Sequence, residues 1–344
     1  TTERTLSDFR YRDTTTAALV ERLGADRVED VYPLSPMQQG MLYHSVLAGD
    51  SPVYLEQFTC SIRGALDVDA FRAAWERVIQ RHTVLRTAFF WNHVEQPVQV
   101  VFSRVDPPWS SHDWSTLPDA ERDARLEKFP GQDLRKGLEL EVPPLMRFTL
   151  IRLGDESYRF FWTSHHLVLD GWSTAIVLSD VFACYQASVA GQDYSPAATR
   201  PFGEYIDWLQ ARDPAQADAY WRAELQGFSR PTPLPASATG HTEPRGFAVA
   251  ELSLPADAST RLASAVRDHH LTLNTLARGA WALVLGAHAG QDEVLYGATV
   301  AGRPASLPDV DTIVGLFINT VPIRVRIDRT RRWSSGCTAC RWTR

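Results

Sequence analysis

The sequence has little cysteine, no long apolar run and no basic stretch before its final residues. The four cysteines, Cys60, Cys184, Cys337 and Cys340, are scattered over 344 residues, so they predict no disulfide framework and favour a reducing cytosol. No window approaches the roughly 20 apolar residues of a membrane-spanning helix, and the polar residues 1–12 do not resemble a signal peptide. A net charge of −6 argues against nucleic acid as a partner. We therefore expect a cytoplasmic protein that binds neither membrane nor nucleic acid.

The chain does contain enough apolar residues for a sizeable core. Hydrophobic residues make up 44% and charged residues 22% of the sequence, which is the balance of a globular protein. The length of 344 residues suffices for two ordinary domains or lobes. Helix-like and strand-like patterns alternate, with several strands close together in sequence, so we expect a mixed α/β sandwich.

Hydrophobic periodicity and capping residues give approximate bounds for the elements. Apolar positions at helical spacing predict helices at residues 14–23, 37–44, 68–78, 121–129, 173–185, 202–210, 215–226, 256–269 and 274–288. Alternating or continuous apolar runs predict strands at residues 58–62, 85–91, 98–102, 145–153, 158–165, 247–254, 293–301 and 317–327. Residues 1–27 are predicted to be an interdomain linker.

The segment 165–171, His-His-Leu-Val-Leu-Asp-Gly, concentrates residue types that carry chemistry. In a strand that ends here, His165 and His166 point to opposite faces, so the two rings do not easily serve one metal site. One ring can face a cavity while backbone partners hold the other. An unperturbed histidine pKa of about 6.5 suits proton transfer near neutrality. Gly171 permits close approach of a substrate, and Ser173 is a good N-cap for the next helix.

A second interpretation of the same segment remains open at this point. His165 and His166 can equally be hydrogen-bonded core histidines, with Asp170 serving only as a helix cap. Elsewhere, Cys337 and Cys340 have the spacing of half a zinc or redox site. No second pair accompanies them, so no metal site is predicted. The segment by itself does not decide between a catalytic and a structural role.

Six segments in a fixed order resemble the motifs of one known family. Residues 165–173 resemble the HHxxxDGxS signature of condensation domains of nonribosomal peptide synthetases. The other segments that resemble motifs of this family are residues 35–42, 81–87, 205–208 (more loosely), 297–304 and 314–320. Ordered motifs together are far more specific than any one of them, and the resemblance covers about residues 28–328.

The resemblance implies a fold and an activity. Family members have two chloramphenicol-acetyltransferase-like lobes in a V, with the catalytic loop in a tunnel between them. We therefore expect an N-terminal lobe with the catalytic loop at residues 28–190 and a partial C-terminal lobe at residues 191–328. The implied activity is acyl transfer, in which the α-amine of an acceptor attacks a donor thioester and forms a peptide bond. Both substrates travel on phosphopantetheine of partner carrier proteins, and the domain itself is expected to bind no cofactor.

Roles for individual residues follow from the resemblance, position by position. His166 is the second histidine of the signature, which implies that it faces the tunnel and either takes a proton from the amine or positions it. Gly171 would leave room for the thioester, with a backbone N–H toward its oxygen. His165, Asp170 and Arg303 are expected to support the loop, the last two as a buried ion pair.

A further set of residues is predicted to line the tunnel. It consists of Ser35, Gln38, Arg81, Trp172, Ser173 and Asn319. Two alternatives remain open within this set. Arg81 can instead complement the dipole at a helix end, and Asn319 can instead be a strand-edge residue.

The first motif resembles that of one subtype of the family. Residues 35–42 with the preceding 28–34, and the linker-like residues 6–9, resemble domains that follow an epimerisation domain. That subtype joins a D-configured donor to an L-configured acceptor. The chain would then be a monomeric piece of a synthetase for an antibiotic or siderophore. Its partners would be an upstream and a downstream carrier protein, with epimerisation and adenylation domains on either side.

Residues 329–344 depart from the family pattern, because they are rich in Arg, Trp and Cys and show no periodicity. Family members continue with further helices and a strand, so we expect a C-terminal truncation followed by an atypical tail. Two other hypotheses remain. One is a non-catalytic fragment that only docks carrier proteins, and the other is a stand-alone acyltransferase that uses coenzyme A thioesters.

Overall fold

The structure is a computed structural model, and it describes residues 9–11, 13–49, 52–234 and 250–328. These residues pack into two compact units. The first comprises the described residues up to Asp213 together with Ala301–Asn319. The second comprises the described residues of Pro214–Val300 and those from Thr320 onwards. The predicted N-terminal lobe lies within the first unit, whereas the predicted lobe boundary and the V stay predictions.

The first unit contains most of the described secondary structure. Its helices are α1 (Thr14–Leu23), α2 (Pro36–Ala48), α3 (Val68–Arg81), α4 (Asp119–Leu134), α5 (Gly171–Val189) and α6 (Gly203–Gln210). Its strands are β1 (Val28–Pro33), β2 (Leu55–Arg63), β3 (Thr87–Phe90), β4 (Val98–Phe102), β5 (Trp109–Asp113), β6 (Met146–Gly154) and β7 (Ser157–His165). The strands form two sheets, with orders β1-β4-β3 and β2-β7-β6-β5.

The four-stranded sheet has apolar clusters on both faces, which explains why β7 is buried without interruption from Phe160 to His165. Phe160 and Trp162 belong to the main core, where Trp162 meets Trp75 of α3 at a ring distance of 4.8 Å. Phe161 belongs to a smaller cluster on the opposite face, with Phe129 of α4. This alternation carries the end of β7, and the segment that follows it, into the interior.

Strand β2 runs antiparallel to β7 along its whole length. The register pairs Leu55 with His165 and Glu56 with Ser164. The beginning of β2 therefore lies directly beside the end of β7. This pairing determines which side chains surround the segment after His165.

The described part of the predicted linker is packed into the first unit rather than solvated. Phe9, Leu19 and Val20 are buried in a cluster with residues of the three-stranded sheet. Asp13 caps α1 by accepting a hydrogen bond from the backbone N–H of Thr16. The described residues between 9 and 27 are thus an integral part of this unit. Residues 1–8 of the predicted linker and the predicted atypical tail, 329–344, lie outside the described residues.

The second unit has a small core of its own. Its helices are α7 (Pro214–Glu224), α8 (Ala256–Asp268) and α9 (Leu273–Ala289). Its strands β8 (Glu293–Val300) and β9 (Asn319–Arg326) pair with each other. The first residue of β9, Asn319, belongs to the first unit. The buried residues of this apolar cluster are Ala282, Leu285, Val294, Ala298, Ile323 and Val325. Helix α9 contributes two of these residues and leaves Trp281 47% exposed.

The predicted mixed α/β architecture is confirmed, with four differences in its elements. Strand β1 was not predicted, because its sequence Val-Glu-Asp-Val-Tyr-Pro does not alternate. Strand β5 was not predicted, because its residues are mostly exposed and do not alternate. Residues 250–254 form no strand, contrary to prediction, and the remaining 247–249 of that predicted strand lie outside the described residues. The predicted strand at 85–91 begins only at Thr87, after a 3-10 helix at Thr83–Arg86. None of the helices in the described ranges is long and apolar enough to cross a bilayer.

Candidate active site

The segment between β7 and α5 is held by three consecutive apolar side chains. Leu167, Val168 and Leu169 are all at most 1% exposed and belong to the main core. Burying them removes most of the freedom that a connecting segment would otherwise have. The residues on either side, His166 and Asp170, are therefore fixed relative to the sheet and to α5.

The ring of His166 has a defined tautomer. Its Nδ1 lies within hydrogen-bond distance of the carbonyl oxygen of Leu169, and a carbonyl oxygen can only accept. Nδ1 therefore carries the proton, and in the neutral ring Nε2 presents a lone pair. The backbone N–H of His166 donates to the carbonyl of Tyr54 at 2.8 Å. Since the side chain is 17% exposed, Nε2 is available to a molecule outside the core.

Glu56 is the acidic neighbour of His166, and sequence reasoning missed it. Its Oε1 lies 3.6 Å from Nε2 of His166, and its side chain is 49% exposed. Glu56 stands opposite Ser164, two residues before His166, in the pairing of β2 with β7. The signal that identifies it is this register, because the two residues are far apart in sequence and Glu56 belongs to none of the recognised motifs.

His165 is a buried, neutral support of the segment. It is 3% exposed, its Nδ1 accepts a hydrogen bond from the backbone N–H of Leu167 at 3.1 Å, and its Nε2 lies 3.3 Å from Oγ of Ser45. Burial, together with the adjacent ring of His166, lowers the pKa of His165 to about 4. A ring that stays neutral at pH 7 and is bonded on both nitrogens holds the backbone but offers nothing to a substrate.

Asp170 caps α5 and also connects two distant parts of the first unit. One carboxylate oxygen accepts from the backbone N–H of Ser173 at 2.8 Å, and the other accepts from that of Phe317 at 3.0 Å. The side chain is 1% exposed, and Nη2 of Arg303 lies 3.6 Å from Oδ1. The prediction of Ser173 as the N-cap is wrong, and the cap named in the second interpretation is confirmed, because Asp170 occupies that position and the helix begins at Gly171.

Ser173 and Arg303 complete this connection. The hydroxyl of Ser173 donates to the carbonyl of Gly315 at 2.7 Å and accepts from the N–H of Gly315 at 3.0 Å and from Arg303 at 2.9 Å. Arg303 also donates to the carbonyl of Ile313 at 2.9 Å, and its guanidinium lies 4.1 Å from the ring centre of Phe317. Burial lowers the pKa of Arg303, while the charge of Asp170 opposes that change.

Two glycines allow this close packing, and a third borders open space. A Cβ added at Gly302, whose φ is +63°, would lie 1.8 Å from the carbonyl oxygen of Phe317. One added at Gly315 would lie 2.0 Å from the ring of Phe202. One added at Gly171 would meet no atom within 4 Å. The first turn of α5 therefore faces free volume at the predicted catalytic glycine.

The structure gives the predicted tunnel-lining residues different positions. Ser35 and Gln38 are 3% and 0% exposed and form the capping box of α2, and Gln38 also donates to the carbonyl of Leu167 at 3.0 Å. They support the segment between β7 and α5 from within the core. Like Ser173, they are buried and present no surface. Trp172 is 52% exposed and donates to the carbonyl of Asp311 at 3.1 Å.

The remaining two predicted lining residues have other surroundings. Arg81, in the last turn of α3, bonds Asp180 of α5 at 3.1 Å and the carbonyl of Ala197 at 2.6 Å, so it ties two helices and a loop together. Asn319 is exposed at the start of β9. Within the described residues, no group of three or more His, Cys, Asp or Glu side chains is arranged to hold a metal ion. Cys337 and Cys340 lie outside that part of the chain.

Comparison with known proteins identifies a family for most of the chain. A family model described as "Condensation domain" matches residues 28–341, a range that continues past residue 328, where the motif resemblance ended. A linear gramicidin synthase of Brevibacillus parabrevis is 44% identical over 339 residues, which is 96% of this chain and 4% of that protein. Bacitracin synthase 1 of Bacillus licheniformis is 32% identical over 312 residues, 90% of this chain and 6% of that protein. The chain thus spans only a small part of the length of these relatives.

Solved structures with the same fold include two condensation domains of synthetases. The first condensation domain of the calcium-dependent antibiotic synthetase superposes with a TM-score of 0.71 at 20% identity, covering 90% of this chain and 73% of that one. The starter condensation domain of rhizomide synthetase superposes with a TM-score of 0.70 at 21% identity, covering 90% of this chain and 70% of that one. At these identities the match concerns the fold.

Proposed function

The chain belongs to the condensation-domain family of nonribosomal peptide synthetases, and on that premise we propose that it forms a peptide bond between two carrier-bound aminoacyl groups. The acceptor's amine nitrogen attacks the carbonyl carbon of the donor thioester. The new C–N bond forms, the C–S bond breaks, and a proton passes from nitrogen to the departing sulfur. The products are an amide and a thiol, so the balance needs no oxidant or reductant.

The observation that carries this proposal is the free lone pair on Nε2 of His166. With Nδ1 committed to the carbonyl of Leu169, Nε2 can accept an N–H from the acceptor amine and hold its nitrogen toward a thioester. Holding two reactants in line contributes as much as about 7–11 kcal/mol to a reaction of this kind. The rigid segment between β7 and α5 suits that task, because His166 then keeps one position in both the free and the loaded site.

Gly171 is the proposed point of contact for the thioester oxygen. It is exposed at the first turn of α5, next to free volume, and the positive end of the helix dipole lies there. Negative charge that develops on the thioester oxygen would be stabilised at this position. Three residues act indirectly in this proposal, because they hold the segment and the start of α5 in fixed positions: Asp170, Arg303 and His165.

We further propose that the chain belongs to the subtype that joins a D-configured donor to an L-configured acceptor. It would work with one carrier protein upstream and one downstream, and epimerisation and adenylation domains would flank it. The support is the resemblance of residues 35–42 and their flanks to that subtype. The relatives named as gramicidin and bacitracin synthases support a peptide product. The substrates would arrive on phosphopantetheine, so this domain would need no cofactor of its own.

The test is turnover with loaded carriers and detection of the peptide by mass spectrometry. A donor carrier charged with a D-aminoacyl or D-terminated peptidyl group and an acceptor carrier charged with an L-amino acid should give product. His166→Ala should slow the reaction by about 100-fold or more, whereas His269→Ala, an exposed histidine at the end of α8, should not.

Three outcomes would contradict parts of this proposal. Equal rates with His166→Ala and the parent chain would remove His166 from its central role. An L-configured donor used as fast as the D-configured one would overturn the subtype. Efficient use of a free acyl-coenzyme A donor, in place of the carrier, would instead identify a stand-alone acyltransferase.

A further inference from the structure

The carboxylate of Glu56 has no role in the reaction proposed above. It lies beside the outward-facing nitrogen of His166, with Oε1 3.6 Å from Nε2. Two other acids described above are paired with arginines: Asp170 with Arg303, and Asp180 with Arg81. In the part of the chain that the structure describes, no Lys or Arg forms an ion pair with Glu56, so its charge is not balanced by a permanent cation.

The chemistry of the two facing atoms defines what fits between them. Because the proton of the His166 ring is on Nδ1, both Nε2 and the carboxylate of Glu56 are hydrogen-bond acceptors. A group that satisfies both atoms must carry at least two donor hydrogens, and a positive charge adds to its attraction to the carboxylate. A primary ammonium group has three N–H donors and one positive charge, which meets both requirements.

The position of Glu56 on the sheet directs its carboxylate to the same site. Glu56 and Ser164 are register partners on β2 and β7, and His166 follows Ser164 by two residues. The side chain is half exposed, so a ligand can reach it, yet its backbone is fixed in a nine-residue strand. The carboxylate can therefore adjust its distance to an incoming group while remaining beside the ring.

We propose that Glu56 and Nε2 of His166 together bind the α-ammonium group of the acceptor, with Glu56 recognising its charge and His166 holding the N–H that is lost. This inference rests on the proposed condensation reaction and adds a residue that selects an aminoacyl acceptor. It also explains how the acceptor enters at neutral pH. An α-amino group with a pKa near 7.7–8.0 is mostly protonated at pH 7 and cannot attack in that form.

The proton balance of the step follows from this arrangement. The bound ammonium gives one proton to Nε2 and becomes an amine, which attacks the thioester carbonyl carbon. As the C–S bond breaks, the second proton passes from nitrogen to the departing sulfur, and the imidazolium later returns its proton to solvent. The sum is ammonium plus thioester giving amide, thiol and one proton. During the step, the Glu56 carboxylate stabilises the positive charge as it moves from the substrate to the ring.

Binding of two stable acceptor analogues tests the role of Glu56 without any turnover. The L-alanyl amide of aminopantetheine carries an α-ammonium group, and its L-lactyl counterpart carries a hydroxyl in the same place. We expect Glu56→Gln to weaken binding of the alanyl compound by about 10-fold, which is the size of one lost charge-assisted hydrogen bond at a half-exposed site. The affinity for the lactyl compound should change by less than about 2-fold, because that compound has no charge for Glu56 to recognise. Isothermal calorimetry on the full chain gives both constants.

Variants with matched chemistry separate charge recognition from structural damage. Glu56→Asp keeps the charge and should recover part of the preference for the alanyl compound. Glu156→Gln removes an exposed acid from the turn between β6 and β7 and should behave as the parent chain does. In turnover assays, Glu56→Gln should raise the KM for the acceptor more than it lowers kcat.

The results that overturn the inference are distinct from those that overturn the condensation reaction. Equal binding of the two analogues by the parent chain, or an equal loss for both with Glu56→Gln, would exclude ammonium recognition by Glu56. A parent chain that forms no peptide from loaded carriers, but still prefers the alanyl analogue through Glu56, would instead contradict the proposed reaction and leave an amine-binding site. Failure to bind either analogue would contradict the inference outright.

Discussion

At the scale of single residues, the site contains one histidine nitrogen that faces outward and a set of buried groups that fix its position. His166 presents Nε2, while His165 is held by the N–H of Leu167 and by Ser45. Asp170, Ser173 and Arg303 bind one another and backbone groups. Such networks cost desolvation, which only a nearly complete set of hydrogen bonds repays. The burial of this set indicates that geometry, more than proton transfer, is what these four side chains provide.

Removal of the Asp170 charge should therefore lower the stability of the fold first, and affect the chemical step only as a consequence. Asp170→Asn keeps the size of the cap but leaves the buried guanidinium of Arg303 without its counter-charge. We expect the free energy of unfolding to fall by about 3 kcal/mol, measured by urea denaturation at pH 7. Asp155→Asn is the matched control, because the side chain of Asp155 is 98% exposed and pairs at the surface with Arg152.

A double variant decides whether the ion pair or the cap is responsible. Asp170→Asn combined with Arg303→Met removes both charges and should be less destabilised than the sum of the two single variants. A strictly additive loss would mean that Asp170 acts through its hydrogen bonds to the N–H groups of Ser173 and Phe317 and not through the charge of Arg303.

At the scale of elements, the segment 301–319 is what holds the start of α5 in place. It supplies Arg303, the carbonyl and N–H of Gly315 and the N–H of Phe317 to Asp170 and Ser173. Its path depends on Gly302, where a positive φ brings the backbone against the carbonyl of Phe317. An L-residue at that position meets both backbone strain and a steric clash.

Gly302→Ala should consequently destabilise the first unit and reduce the proposed condensation activity. We expect a loss of about 2 kcal/mol or more from the strain and the clash together, measured by thermal unfolding alongside turnover. Gly279→Ala is the opposite control, because Gly279 lies inside α9 with nothing within 4 Å of an added Cβ. That change should stabilise the protein by about 0.5–1 kcal/mol. Equal effects of the two substitutions would contradict the argument.

Elements with strong local signals were predictable, and those that depend on pairing were not. The bounds of α1 and the start of α3 at Val68 follow from apolar positions at helical spacing. Strand β5 carries no such pattern, since its parallel pairing with β6 forms it. Ser173 was mistaken for the cap because Asp170 and Ser173 are both good cap residues and only the backbone distinguishes them. Glu56 was not predicted, because its proximity to His166 is a consequence of the register between β2 and β7.

At the scale of the whole chain, the described residues contain separate apolar clusters in the two units. The main core of the first unit contains Ile79 and the sheet, whereas Leu285 belongs to the cluster of six buried residues in the second. Unfolding free energy depends on how much apolar surface each cluster removes from water. The two units therefore should not lose structure with equal ease.

Core substitutions in each unit give a direct check. Leu285→Ala and Ile79→Ala each remove a nearly buried side chain and should cost about 3 kcal/mol locally. We expect hydrogen exchange of α9 amides to accelerate in Leu285→Ala while those of α3 stay protected, and the reverse pattern in Ile79→Ala. Uniform acceleration across both helices in either variant would indicate a single cooperative unit.

The contact between Asp170 and the N–H of Phe317 also determines an order of events during synthesis. The two residues are 147 positions apart, so the ribosome completes the histidine segment long before its last partner exists. At about 5–20 residues per second, that interval is roughly 7 to 30 s. For that time the carboxylate of Asp170 has only its own helix to bind, and the nascent chain carries His166 on a loop that is not yet locked. Assembly of the site therefore waits for synthesis of Phe317 and comes well after the histidine itself has been made.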